Sequence, residues 1–184
     1  MPRRILGVLV DRPSVVTIAM FAAVVAHALM SIRYPSLNFW SSALPDGVPA
    51  DGEPARSVYL ALSGAAATSA GFAGVVIVFG LTTSSQSFRK FRTAGGAELR
   101  ASWLSVIASS FAATIASLAA AVTAMSIVGP WLFELGVLLW LHGISRMLFL
   151  LRGLMGLVKR DDADASRADR VVSSADLFSR RRAG

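Results

Sequence analysis

Hydrophobic positions in this chain do not alternate with polar ones at a soluble helix or strand period; they run together in four long blocks. The blocks cover residues 14–32, 57–81, 102–128 and 131–151, and charged residues gather in the segments between them. A helix needs roughly 20 apolar residues to cross a hydrocarbon core, and each block is close to or above that length. The pattern predicts an all-α membrane protein, a four-transmembrane-helix bundle. Only Val128-Gly129-Pro130 parts the third block from the fourth, so those two helices are expected to form a tight antiparallel hairpin. Pro130 suits the first turn of a new helix, where its missing N–H costs nothing.

The segments between the blocks carry the orientation. Fifteen of the 18 Lys and Arg residues fall in residues 1–13, 82–101 and 152–184. Only Arg33 and Arg56 flank the other side, in residues 33–56, and Arg146 lies inside the fourth block. Cytoplasmic loops are enriched in Lys and Arg, so both termini and the basic loop are expected in the cytoplasm, and residues 33–56 outside it. Arg3 and Arg4, the first apolar block and Ala26-His27-Ala28 also resemble a cleavable signal peptide in outline. Asp11, Arg12 and Pro13 delay the start of the apolar run and argue against that, and cleavage would leave three helices in the same orientation.

Composition agrees with a bilayer environment. The chain is 54% hydrophobic and 16% charged, with a mean hydropathy of +0.60, against about 25% charged residues in a typical soluble domain. A net charge of +7 would suggest nucleic acid in a soluble protein. Here it is accounted for by the cytoplasmic flanks, with anionic lipid head groups as the nearest partner, and no nucleic acid is expected. The preference for Arg over Lys, with abundant Ala and Gly, points to a GC-rich bacterial genome and so to the cytoplasmic (inner) membrane.

The outer segment opens with Tyr34, Phe39 and Trp40, suited to the membrane interface, and continues with Pro45, Pro49 and Pro54 as an irregular loop. On the cytoplasmic side, Phe88, Arg89, Lys90, Phe91 and Arg92 interleave aromatics with bases before a Gly95-Gly96 break. They read as a surface for anionic lipid or for a cytoplasmic partner. The tail mixes Asp161, Asp162, Asp164, Asp169 and Asp176 with arginines and ends in Arg180-Arg181-Arg182, a second candidate contact. It is expected to be disordered or at most a marginal helix.

Within the second block, Gly64, Ala67, Gly71 and Gly74 fall within about 80° of arc at the α-helical repeat. They form a stripe of nearly bare backbone suited to a neighbouring helix in this chain or in a second copy. In the third block, Ser105, Ser109, Ser110, Thr114 and Ser117 share one face with Ser102 and Thr123, while Leu104, Phe111, Ile115, Leu118 and Val122 lie opposite. A hydroxyl face of this kind packs helices together or lines a hydrated path. Packing is preferred, because no ring of charges accompanies the hydroxyls.

The fourth block holds the ionisable groups. Glu134 lies near its outer end, and His142 and Arg146 stand four residues apart on one face. Ionisable groups inside a membrane are functional candidates because burying a charge there is expensive. Glu134 and Arg146 are close enough to the two surfaces to snorkel; His142 is deeper and could bond a hydroxyl of the third helix. His27 sits at the depth of Glu134, and a contact between them is expected on that ground alone.

Catalysis finds no support. The chain has no cysteine and only two histidines, His27 and His142, which excludes thiolate chemistry and an all-His metal site. No serine has an evident activating base, and no cofactor is expected. The expected role is that of a non-enzymatic inner-membrane protein working through protein or lipid contacts. Accessory, signalling or phage-type exclusion and immunity factors belong to that class, and homo-oligomers fall within it. The alternative is an oligomeric channel or transporter subunit with a hydroxyl-lined path along the third helix.

Overall fold

The computed structural model describes residues 13–38, 53–124 and 126–182, all in helices or the short links between them. Helix α1 spans Pro13–Arg33 and is followed by a single 3-10 turn, Pro35–Leu37. Helix α2 spans Glu53–Thr82, α3 Gln86–Val122 and α4 Gly129–Arg182. Each is long and apolar enough to cross a membrane. The N-terminal arginines Arg3, Arg4 and Arg12, and the loop residues Phe39, Trp40, Pro45 and Pro49, lie outside the described residues.

The four helices alternate in direction. The end of α1, the start of α2 and the turn between α3 and α4 therefore lie at one end of the bundle, the loop end, and the α2–α3 link at the other, the link end. Helix α3 is central: its most extensive contacts are with α4, then with α2, while α1 rests mainly on α4.

The interior is made of small side chains and the exterior of large ones. Ala66, Ala70, Ala73, Ala113, Ala116 and Ala120 are buried, with Ser109, Ser110 and Ser117 among them. Ile18, Leu104, Ile115 and Phe149 are all more than 60% exposed. A water-soluble bundle would reverse that arrangement. Lipid tails are as apolar as leucine and give no drive to bury it, so close backbone approach supplies the cohesion instead. The buried aromatic rings sit toward the ends. Tyr59 packs on Phe133 at the loop end, ring centroids 4.7 Å apart, and Trp103 lies against Gly80 at the link end.

Three boundaries depart from the sequence expectation. Residues 82–101 are not a loop: after a three-residue link, α3 begins at Gln86, its first turn capped by Ser85, whose hydroxyl accepts from Phe88 N at 3.2 Å. The break expected at Gly95-Gly96 is a kink within α3, with Gly96 at φ 43°, ψ −125°. Only glycine adopts that backbone readily. At its other end α3 stops at Val122 rather than 128, so residues 123–128 make the hairpin connection. Ser126 N donates to Thr123 O at 2.8 Å within it, and Pro130 falls in the first turn of α4.

The third departure is the tail. Of the two expectations for the tail, disorder or a marginal helix, it takes the helical one, with α4 continuing without interruption to Arg182. Alanine and arginine are strong helix formers, and Arg167 pairs with Asp164 at 3.3 Å, one turn apart. Hydrogen bonds from the Ser85 and Ser87 hydroxyls hold the Asp161 carboxyl below the usual carboxylate range.

Candidate functional site

The ionisable residues divide between the two ends of the bundle. At the loop end, His27 near the end of α1 meets Glu134 in the second turn of α4. Its Nδ1 lies 3.0 Å from each carboxylate oxygen. Nε2 lies 3.0 Å from the carbonyl oxygen of Leu37, which the 3-10 turn folds back over the ring. Trp131 meets the imidazole edge-on, centroids 5.2 Å apart. One side chain of α1 thus bridges two other elements, and both groups are partly exposed.

Toward the link end, Arg146 of α4 donates through Nη2 to Ser102 Oγ of α3 at 3.1 Å. Sequence reasoning offered His142 a hydroxyl of the third helix; the hydroxyl bond formed here belongs to Arg146, one turn further on. His142 Nε2 is buried with no hydrogen-bond partner among the described residues. His142 stands about 12 Å along the helix axis from Glu134 at 1.5 Å per residue, so the four candidates make two separate sites. Among the described residues no three His, Asp or Glu side chains converge as metal ligands would.

Four hydroxyls in the middle of α3 are turned inward on their own helix. Ser109, Ser110, Thr114 and Ser117 each donate to the carbonyl four residues earlier, at 2.8–3.1 Å. Ser110 and Ser117 then face glycines of α4. A Cβ built on Gly136 would come 2.7 Å from Ser117 Oγ, and one on Gly143 would come 3.1 Å from Ser110 Oγ. Gly129, Gly136 and Gly143 recur every seven residues, so they form one stripe down α4, and Ser110 and Ser117 carry the same spacing.

This stripe, unnoticed in the sequence reading, is where the backbones come together. The stripe singled out on α2 instead faces outward: Cβ atoms on Gly64, Gly71 and Gly74 would meet nothing within 4 Å. A second inter-helix tie also went unread, Trp140 Nε1 donating to Ser69 Oγ at 3.0 Å.

Ser105 and Ser109 border a cleft of about 380 Å³. Ser14 and Thr17 of α1 form one wall, Leu104 and Ala108 of α3 another, and Leu139 of α4 its floor.

The aromatic–basic segment at the start of α3 is not one surface. Phe88 is buried and meets Phe79 of α2 edge-on at 5.9 Å. Arg92 folds back over the end of α2, donating through Nη1 to Gly80 O at 3.0 Å and Thr83 O at 2.8 Å. Both residues hold helices together. Arg89 and Lys90 are exposed and Phe91 is partly so. The side chains of Arg180, Arg181 and Arg182 lie outside those described.

Among known proteins, no family model, no curated protein and no solved structure matches the chain significantly.

Proposed function

We propose that this chain is a non-catalytic, multi-pass protein of a bacterial cytoplasmic membrane that acts through contacts with protein or lipid. Both termini and the α2–α3 link face the cytoplasm in this reading, on the strength of the arginine distribution. The observation that carries it is the use made of the polar groups. Ser109, Ser110, Thr114 and Ser117 of α3 are bonded to their own helix's carbonyls and two of them are closed against the α4 glycines, while Arg92 and Arg146 serve helix ends and helix contacts. What remains outward is a surface for partners: Arg89 and Lys90 at the link end, the tail helix, and the Gly64/Gly71/Gly74 face, which suits a second copy. An accessory, signalling or phage-type exclusion or immunity role fits that inventory.

A channel or transporter subunit is the second reading, favoured by Ser105 and Ser109 at the border of the cleft. Ion flux from liposomes holding the purified protein separates the two. No flux above protein-free liposomes is expected. A flux that Ser109→Leu abolishes would replace the first reading by the second. Orientation has its own test, since the chain lacks cysteine. A cysteine at Ser36 should label from outside intact cells, and one at Ser166 only after permeabilisation; the reverse result would overturn the assignment.

A further inference from the structure

The cleft between α1 and α3 is an elongated groove, and α3 sets its direction. Ala101, Leu104, Ser105, Ala108 and Ala112 line it, and they fall within about 100° of arc at the α-helical repeat. From Ala101 to Ala112 the groove runs about 16 Å at 1.5 Å per residue. One leaflet of hydrocarbon is about 15 Å deep, half of the usual core. The groove starts at the link end, close to where α1 begins and α3 resumes after its kink at Gly96. It stops near mid-membrane, against Leu139 of α4.

Its inner walls are hydrocarbon, although serines border it. Ser109 Oγ donates to Ser105 O at 2.8 Å, and Ser105 Oγ is itself buried. Ser14 and Thr17 stand in the first turns of α1, near the mouth. Deeper in, α3 presents alanine and leucine, with Ala108 exposed and Leu104 68% exposed as the outer lip. Such a space offers water too few polar partners to hold it. A flexible apolar chain fills it and supplies the dispersion contacts that its lining otherwise lacks.

The mouth has the opposite character. Arg100 is exposed and lies four residues before Leu104, one turn beyond the outer lip. Glu98, the only acid in α3, falls about 160° round the helix from Arg100. Ser14 belongs to the first turn of α1, the end of a helix that carries partial positive charge. A phosphate is matched to this mouth and an apolar chain to the groove behind it. We infer that the groove holds one acyl chain of a phospholipid, with the lipid phosphate at Arg100. The site rests on the membrane placement proposed above, and not on which end faces the cytoplasm.

Alkaline extraction of membranes from expressing cells comes first, and the chain should stay with the membranes. Release would overturn the placement and the site together; retention without the lipid results that follow would overturn the site alone. Native mass spectrometry of the full chain in detergent, with phosphatidylglycerol added, should show one lipid held per chain. Diacylglycerol, with the same chains and no phosphate, should be held far less. Arg100→Gln should weaken phosphatidylglycerol about fivefold, the effect of one base near a lipid phosphate. Ala108→Trp fills the groove and should abolish the adduct, whereas Val75→Trp, on the exposed side of α2, should leave it intact. No adduct, equal effects of the two tryptophans, or equal retention of diacylglycerol would each overturn the proposal. Ala101→Phe, at another exposed lining position, replaces Ala108→Trp should that variant fail to fold.

Discussion

Gly136 of α4 and Ser117 of α3 are in such close register that a single added methyl on the glycine would lie 2.7 Å from the serine oxygen. The serine cannot easily swing aside, being fully buried and bonded to Ala113 O at 2.8 Å. Gly136→Ala should therefore force the hairpin apart and cost about 1–3 kcal/mol, the usual scale of overpacking. Gly143→Ala, with 3.1 Å to Ser110 Oγ, should cost less. Gly71→Ala should be neutral or slightly stabilising in the monomer. Thermal unfolding of the three variants in detergent orders them; a Gly136→Ala protein as stable as the parent would refute the contact.

Arg92 and Arg89 make a second contrast. Arg92 supplies charge-assisted hydrogen bonds to two carbonyls at the end of α2, and such bonds contribute about 1.5–3 kcal/mol each when a charged group is involved. Arg92→Gln should lower stability on that scale, whereas Arg89→Gln should change it by no more than about 0.5 kcal/mol, as exposed sites do. Equal effects in a detergent melt would mean that Arg92 is not a helix cap.

Asp161 predicts the pH behaviour of the tail. Its carboxyl is held below the ordinary carboxylate range by the Ser85 and Ser87 hydroxyls. A depressed folded-state value means the contact is fully present above the ordinary carboxylate range and is lost as pH falls through the depressed one. Amide exchange across residues 155–167, corrected for intrinsic rates, should accelerate on acidification. Asp161→Asn should flatten that response, and an equally steep one in the variant would assign it to another carboxylate.

Trp140 and Ser69 should be coupled. Their 3.0 Å hydrogen bond is the polar tie between α4 and α2, and a double-mutant cycle of Trp140→Phe with Ser69→Ala should give an interaction energy of about 0.5–1.5 kcal/mol. Strict additivity in the melts would show that the bond does not form.

Much of the architecture was readable from the chain, for reasons particular to membranes. Four apolar blocks leave few arrangements open, and the matching depth of His27 and Glu134 anticipated their meeting. Residues 82–101 read as a loop because Ser84, Ser85, Gln86 and Ser87 are polar; the helical start of α3 depends on the Ser85 cap and on Phe88 lying against Phe79. The α2 glycines were legible as a stripe, but nothing local says which stripe meets a partner. That is decided by the complementary seven-residue spacing of Ser110 and Ser117 opposite Gly143 and Gly136, a relationship between two helices. The tail gave a charge pattern too mixed to suggest order, and its tie to Ser85 and Ser87 lies more than 70 positions away in sequence.

The unbroken course of α4 has a mechanical consequence. From Arg152 to Arg182 the helix extends about 45 Å at 1.5 Å per residue, and a continuous helix transmits torque as a shaft does. Rotation of α4 by one residue position inside the bundle turns its distal end through about 100°. A rotation applied at the glycine seam therefore reaches the far end of that shaft through the same angle.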